Sequence, residues 1–230
     1  MKYLPILFLG IFFTLAFSWT GLVLSSHLQL GKLEPTTEML VQNPDTGAME
    51  PEEGGTLFPL QPVGSAQRGK DVYISEGCLY CHTQQVRRKG FGSDWERGWG
   101  DRQTVARDYI RQERVLLGTM RTGPDLMTVG ARIPTTDWHY LHLYYPKATS
   151  EGSIMPPFPF LFELREIGAQ GPSPDAISVP ETLPGDNTIP DDYRVPEGYE
   201  LVPTQRGKDL VAYLLSLRLD YELPEMKFSE

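Results

Sequence analysis

The sequence predicts an all-α protein, with one N-terminal transmembrane helix followed by a small helical domain that carries long irregular insertions. The first helix is predicted by an uncharged apolar run of 21 residues from Leu4 to Leu24. A helix near the C-terminus is predicted from Thr204 to Leu219, where apolar residues recur at helical spacing. Twenty prolines and 22 glycines among the 230 residues indicate much irregular backbone between them.

The apolar run favours a retained membrane anchor over residues 1–27. As a helix it is about 31 Å long, enough to cross a hydrocarbon core of about 30 Å. A cleavable signal peptide is the alternative, with Ala16-Phe17-Ser18 as a weak cleavage site, but the run exceeds the usual signal core of about 7–15 residues. Lys2 is the one charged side chain before Lys32, which predicts that the N-terminus lies inside and the rest outside.

The remainder of the chain divides by composition. Residues 28–65 are predicted to be a linker, 66–221 a domain with a proline- and acid-rich insertion at 163–203, and 222–230 a tail. Helices are expected from Ala66 onward and over Asp137–Tyr145, where Pro146 stops the helix.

The run Cys78-Leu79-Tyr80-Cys81-His82 contains both cysteines of the chain. Two thiols three residues apart on one helical turn can reach the two vinyl groups of one haem, and the histidine that follows can ligate the iron. The run therefore predicts one covalently bound haem c in a class I cytochrome c-like domain, with Cys78 and Cys81 as attachment points and His82 as an iron ligand.

Two other interpretations of the cysteine pair are weaker. A zinc site would need further ligands at suitable spacing, and the remaining histidines are His27, His139 and His142. A thioredoxin-like dithiol would need a βαβ context, which the flanking sequence lacks.

In a class I layout, the first and last helices of the domain cross. Gly69 would permit a close approach there, although a glycine at this position also suits a helix start. Tyr73, Tyr213 and Leu214 are the candidates for the contact.

The second iron ligand has three methionine candidates, Met120, Met127 and Met155. Met155 is favoured because Pro156 and Pro157 stiffen its loop, and a fixed loop holds a weak thioether ligand at low entropic cost. A helical Met127 would by default fill the core. Bis-histidine ligation stays open.

His139 and His142 share one helix face. Histidines in such positions more often pack in the core or lie exposed on the surface than ligate a metal.

The run Arg121-Thr122-Gly123-Pro124-Asp125-Leu126 is, by itself, a turn before an apolar segment. The Pro124 carbonyl is a candidate acceptor for the Nδ1 proton of His82, which would fix the tautomer of the ligand. Arg121 is a candidate for a forked contact with a haem propionate.

The charge composition argues against a nucleic acid as the partner. With 21 basic and 30 acidic residues the formal net charge is −9, so the basic excess typical of nucleic-acid binding is absent. The distribution is uneven: residues 66–121 hold 11 basic and seven acidic side chains, and residues 151–200 hold two basic and ten acidic. Such asymmetry usually marks solvated faces; alternatively, arginines compensate haem propionates and the acidic tract attracts a basic redox partner.

Taken together, these motifs resemble the membrane-anchored mono-haem cytochrome c subunit of the cbb-type (C-family) haem–copper oxidases. The resemblance covers roughly residues 57–161 together with the anchor. It is carried by Gly69–Tyr73, Glu76–Arg87, Arg121–Leu126, Val129-Gly130, Asp137–His139 with His142, and Met155-Pro156.

The resemblance implies His82 and Met155 as the axial ligands, and it places the chain in a bacterial inner membrane with the haem domain on the periplasmic face. It also implies docking on a catalytic haem–copper subunit and a further cytochrome c subunit, a cytochrome donor, and no oxygen-reducing site in this chain. The 163–203 insertion departs from the family pattern, being longer and richer in proline and acid.

Alternatives are an anchored cytochrome serving another respiratory complex such as a nitric oxide reductase, a free-standing shuttle, a haem-free thiol oxidoreductase, or an assembly subunit whose haem only stabilises the fold.

Overall fold

A computed structural model describes residues 3–37, 40–47, 49–51, 54–183, 187–221 and 223. The chain forms two compact units, one of residues 1–60 with 105–113 and one of residues 61–104 with 114–230. Lys2, on which the predicted orientation depends, lies outside the described residues, as does all of the predicted tail except position 223.

The N-terminal unit begins with an apolar helix over Leu4–Leu30. It consists of α1 (Leu4–Trp19), a π-helical segment (Thr20–Leu24) and α2 (Ser25–Leu30). Its best 18-residue window has a mean hydropathy of 2.1, and no residue in that window is buried. These properties fit a membrane anchor, because a helix of this length spans the hydrocarbon core without exposing backbone polar groups.

The rest of this unit contains short strand pairs in the segment predicted to be a linker. Strands β1 (Thr36–Thr37) and β4 (Leu57–Phe58) are antiparallel, as are β2 (Leu40–Gln42) and β3 (Met49–Pro51). A 3₁₀ turn at Ala106–Tyr109 precedes Arg111, whose Nη1 donates to the carbonyls of Leu57 and Pro59 at 2.9 and 3.0 Å. The arginine thereby joins two distant parts of this unit.

Four helices form the frame of the larger unit. They are α3 (Ser65–Ser75), α4 (Val129–Arg132), α5 (Thr136–Tyr144) and α6 (Gln205–Ser216). Shorter 3₁₀ turns occur at Cys78–Tyr80, Pro146–Ala148, Pro159–Leu161 and Asp191–Tyr193. Helix α6 begins where Thr204 Oγ1 accepts a hydrogen bond from the Gly207 amide at 3.2 Å, which satisfies one free donor of its first turn.

The predicted crossing of the first and last helices is confirmed in α3 and α6. Gly69 is buried at the crossing, and a Cβ there would overlap the Asp209 carbonyl oxygen and lie 2.8 Å from Tyr213 Cβ. The rings of Tyr73 and Tyr213 meet edge to face with centroids 5.5 Å apart. A glycine is therefore required at position 69, because the backbones of α3 and α6 lie too close together for a side chain.

Gly69→Ala is expected to lower the free energy of unfolding by about 1–3 kcal/mol or more, since the added methyl group has no space without moving α6. The exposed Gln67→Ala in the same helix is the control and should change stability by less than about 0.5 kcal/mol. Denaturant unfolding measures both. If both variants had the same free energy of unfolding, α3 and α6 could move apart without a loss of stability, which would contradict this prediction.

The prediction of an all-α fold is wrong. Strand β5 (Phe162–Glu166) pairs antiparallel with β8 (Tyr199–Pro203) over five residues, and β6 (Thr182–Leu183) pairs with β7 (Asn187–Thr188). The predicted irregular insertion thus begins and ends in one ribbon. The ribbon carries apolar residues into the core, among them Phe162, Leu201 and Val202.

The physical reason for the error is that this pairing is non-local. The two strands are separated by more than 30 residues rich in proline, and β5 buries one of its five side chains, so neither shows a clear period of two. Their stability comes from each other and from the core beneath them, which local sequence does not show.

Candidate haem-binding site

The larger unit contains a cavity of about 480 Å³, within the range of about 300–1,000 Å³ for small-molecule and cofactor sites. Its walls come from α3, α5 and α6, from residues 122–133 and from the loop at 150–156. The apolar part of the lining includes Leu126, Val129, Ile133, Leu143, Leu210 and Leu214. Of the sequence-predicted site residues, Cys78, Cys81, His82, Pro124 and Met155 all line this cavity.

The two thiols are positioned by a change of backbone direction at the end of α3. Gly77 has φ of 75°, a left-handed conformation that glycine adopts without strain, and a 3₁₀ turn begins at Cys78. The amides of Cys81 and His82 donate to the Cys78 carbonyl at 3.2 and 3.0 Å, so one turn presents both cysteines. Both are free thiols, Cys78 half-buried and Cys81 exposed.

His82 is held in one tautomer by its neighbour. Its Nδ1 lies 2.7 Å from the Pro124 carbonyl oxygen, and because a carbonyl only accepts, Nδ1 carries the proton and Nε2 keeps its lone pair. Burial lowers the pKa of His82, which favours the neutral ring. Gly123 makes this approach possible, since a Cβ there would overlap the imidazole. A neutral imidazole with a free Nε2 is the form that ligates a metal.

Met155 is the one methionine among the cavity-lining residues. It is half-buried in a loop that continues through Pro156 and Pro157, and the Phe158 amide donates to the Leu143 carbonyl at 2.8 Å, which ties the loop to α5. By contrast, Met120 is 57% exposed and Met127 is buried in the core, and neither lines the cavity.

Residues 56–171, half of the chain, match the family described as "Cytochrome C oxidase, mono-heme subunit/FixO". The chain belongs to this family. A search of curated proteins gives no match. The family resemblance inferred from the motifs is therefore confirmed: the chain is a mono-haem subunit of a cytochrome c oxidase that takes part in electron transfer and works together with other oxidase subunits.

The residues of this FixO-family chain fit the one haem that the family implies. Two thiols, a fixed imidazole with a free nitrogen and a thioether all face one cavity whose remaining walls are mostly apolar. These are the side chains that attach and ligate haem in c-type cytochromes, and the apolar walls suit a flat apolar ring.

His139 and His142 also line the cavity, but each is engaged elsewhere. His139 Nε2 lies 2.8 Å from the Ile133 carbonyl oxygen, and His142 Nδ1 lies 2.6 Å from Thr149 Oγ1. The ring of His142 stacks on Trp138 with centroids 4.6 Å apart, and burial lowers its pKa to about 4. Both imidazoles are held by contacts with the protein.

The structure does not bring Arg121 to the cavity. Its guanidinium pairs with Asp94 and lies 3.6 Å from Asp125 Oδ2. Arg132, which the sequence reasoning missed, lines the cavity instead. Its Nε donates to Thr128 Oγ1 at 3.0 Å and its Nη2 to the Asp125 carbonyl at 2.6 Å.

No carboxylate pairs with Arg132 within the described part of the chain, and burial lowers its pKa. The sequence signal for this residue is the one charged side chain in the largely apolar segment 126–133, because such a charge needs a partner.

Proposed function

We propose that this chain is the electron-relay subunit of a cbb-type oxidase. It would accept single electrons from a cytochrome donor and pass them towards the oxygen-reducing haem–copper subunit. The observation that carries this proposal is the gathering of Cys78, Cys81, His82 and Met155 around one cavity. When bound there, haem supplies a one-electron iron couple.

In this proposal, the two cysteines would hold the cofactor by thioether bonds, and His82 and Met155 would ligate its iron. The Pro124 carbonyl orients His82 and strengthens it as a ligand, because it accepts the Nδ1 proton at 2.7 Å. With His82 and Met155 both as ligands, the iron would have no site left for oxygen, which suits electron transfer. Histidine–methionine ligation also raises the reduction potential.

Arg132 replaces Arg121 as the proposed partner of the haem carboxylates. It is the arginine that lines the cavity, and its pairing there would offset the cost of a half-buried cation. Arg121 already has two carboxylates beside it.

The apolar helix at Leu4–Leu30 is proposed to hold the chain in a bacterial inner membrane with the haem domain on the periplasmic side. This side suits covalent attachment of haem c, and it would expose the domain to a cytochrome donor.

A haem-free dithiol oxidoreductase is less consistent with the site. Reactive cysteines in such enzymes have lowered pKa values, because the thiolate is the nucleophile. Here, burial raises the pKa of the Cys78 thiol to about 12.

Met155→His is expected to keep the haem bound but to lower its reduction potential, because imidazole stabilises ferric iron more than a thioether does. The near-infrared sulfur-to-iron band of the oxidised protein should disappear in Met155→His and in Met155→Leu. Met127→Leu and His142→Ala are the controls and should retain it. Persistence of the band in Met155→Leu would place the sixth ligand elsewhere.

A further inference from the structure

Two carboxylates and one guanidinium are buried together beside the segment that follows His82. The side chains of Asp94 and Asp125 are 2% and 0% exposed, and that of Arg121, which contacts both, is 14% exposed. Arg121 Nη1 donates to Asp94 Oδ1, and its Cζ lies 5.5 Å from the centre of the Trp99 ring. None of these charged residues lines the cavity. They form the Asp94–Arg121–Asp125 cluster.

The Asp125 carboxylate joins two parts of the chain that are about 40 residues apart. Its Oδ2 accepts from Thr83 Oγ1 at 2.5 Å and from the Gln85 amide at 2.7 Å, while its Oδ1 accepts from the Met127 amide at 2.9 Å. Burial raises the pKa of Asp125, whereas the three donors and the nearby guanidinium lower it and favour the ionised carboxylate, which only accepts. One buried side chain thus ties the segment after His82 to the segment that contains Pro124.

Two backbone hydrogen bonds also connect these segments, one on each side of Pro124. The Gly123 amide donates to the Cys81 carbonyl at 2.9 Å, and the Leu126 amide donates to the Thr83 carbonyl at 2.8 Å. The Pro124 carbonyl, which accepts from His82 Nδ1, lies between these two bonds in sequence. The Asp125 carboxylate therefore contacts both of the segments that bring the Pro124 carbonyl and the imidazole together.

We infer that Asp125 is a positioning residue for His82 and that the charges of the Asp94–Arg121–Asp125 cluster set the reduction potential of the haem. This inference rests on the proposed function. Ferric haem carries one more positive charge than ferrous haem, so a buried anion nearby favours the ferric state and a buried cation favours the ferrous state. Removal of Asp125 charge and removal of Arg121 charge must then shift the potential in opposite directions.

Equilibrium redox titration of the purified full-length holoprotein, followed by its haem absorbance, tests this. In Asp125→Asn we expect the ferric-to-ferrous ratio at a fixed applied potential to fall about tenfold, a rise of about 59 mV for a one-electron couple. In Arg121→Gln we expect the ratio to rise about tenfold, a fall of about 59 mV. Arg121→Lys keeps the charge and should stay within about twofold of the wild type.

The matched control is Glu200→Gln, since Glu200 is a buried carboxylate that accepts from Arg165 Nε at 2.7 Å and from the Ser173 amide, and it does not line the cavity. Its loss should lower stability and leave the potential unchanged.

Shifts in the same direction in Asp125→Asn and Arg121→Gln, or no shift in either, would overturn the inference and leave a purely structural role. If Asp125→Asn fails to accumulate with haem, Asp94→Asn takes its place, because it removes a negative charge from the same cluster without touching the donors from Thr83 and Gln85. Asp94→Asn should raise the reduction potential. Arg121→Gln should lower it and Arg121→Lys should not, so this comparison decides whether the charge of Arg121 shifts the potential in the opposite direction.

The alkaline pyridine spectrum and the near-infrared sulfur-to-iron band of the wild type are measured first. Their absence would contradict the proposed function itself rather than the role of the cluster.

Discussion

Replacement of both Cys78 and Cys81 by alanine is expected to leave a chain with no covalently bound haem. The two thiols are presented by one turn on the wall of one cavity, and no other cysteine exists in the sequence to form a thioether. After denaturation in alkaline pyridine, haem should remain with the wild-type polypeptide and separate from the double variant. Each single variant should retain a weaker attachment through the remaining cysteine.

The double variant is also expected to be poorly folded. The cavity of about 480 Å³ lies against α3 and α6, and Tyr73, Leu210 and Leu214 contribute to its wall. Without a cofactor these side chains lose their packing partner, at a cost on the order of 5 kcal/mol, which is large against a typical stability of about 5–15 kcal/mol. Thermal unfolding followed by circular dichroism measures this loss.

Thr122→Ala is the control, because it truncates an exposed residue of the same cavity wall and leaves both thiols in place. Haem that stays with the denatured double variant would contradict thioether attachment. A stable wild-type domain that contains a Cys78–Cys81 disulfide and no haem would refute the cytochrome assignment.

The parts of the site that could be predicted are those that depend only on residues close together in the sequence. The Cys78–His82 run fixes its own spacing, since one turn brings both thiols and the imidazole together whatever surrounds them. Helix α6 was predictable for the same reason, because its buried face repeats within 12 residues. Gly69 marked the crossing because glycine alone allows two helix backbones to approach this closely.

What the sequence did not show depends on partners far away in the chain. Arg121 turns away from the cavity because Asp94, 27 residues earlier, accepts its guanidinium. Arg132 lines the cavity because α4, which carries it, contributes to the same wall as the segment that begins at Thr122. The β5–β8 ribbon likewise depends on a pairing across the proline-rich segment.

In the assembled oxidase, Met155→Leu and His82→Ala are expected to slow oxygen consumption with a cytochrome donor at least about tenfold. The physical reason is that loss of a proposed iron ligand would alter the potential or the occupancy of the one haem this chain is proposed to carry. Electron transfer into or out of that haem would then become rate-limiting. The spectrum of the oxygen-reducing centre in the partner subunit should stay unchanged, because no residue of that centre is altered.

Met127→Leu is the matched control for this experiment, since it replaces a buried methionine that does not line the cavity and should retain the wild-type rate. An artificial donor that reduces the catalytic subunit directly should restore oxygen consumption in the ligand variants, which separates a failed relay from a damaged complex. A complex that lacks this haem and still oxidises its cytochrome donor at the normal rate would rule out the relay. The chain would then contribute to assembly, because electrons would have another route to the oxygen-reducing centre.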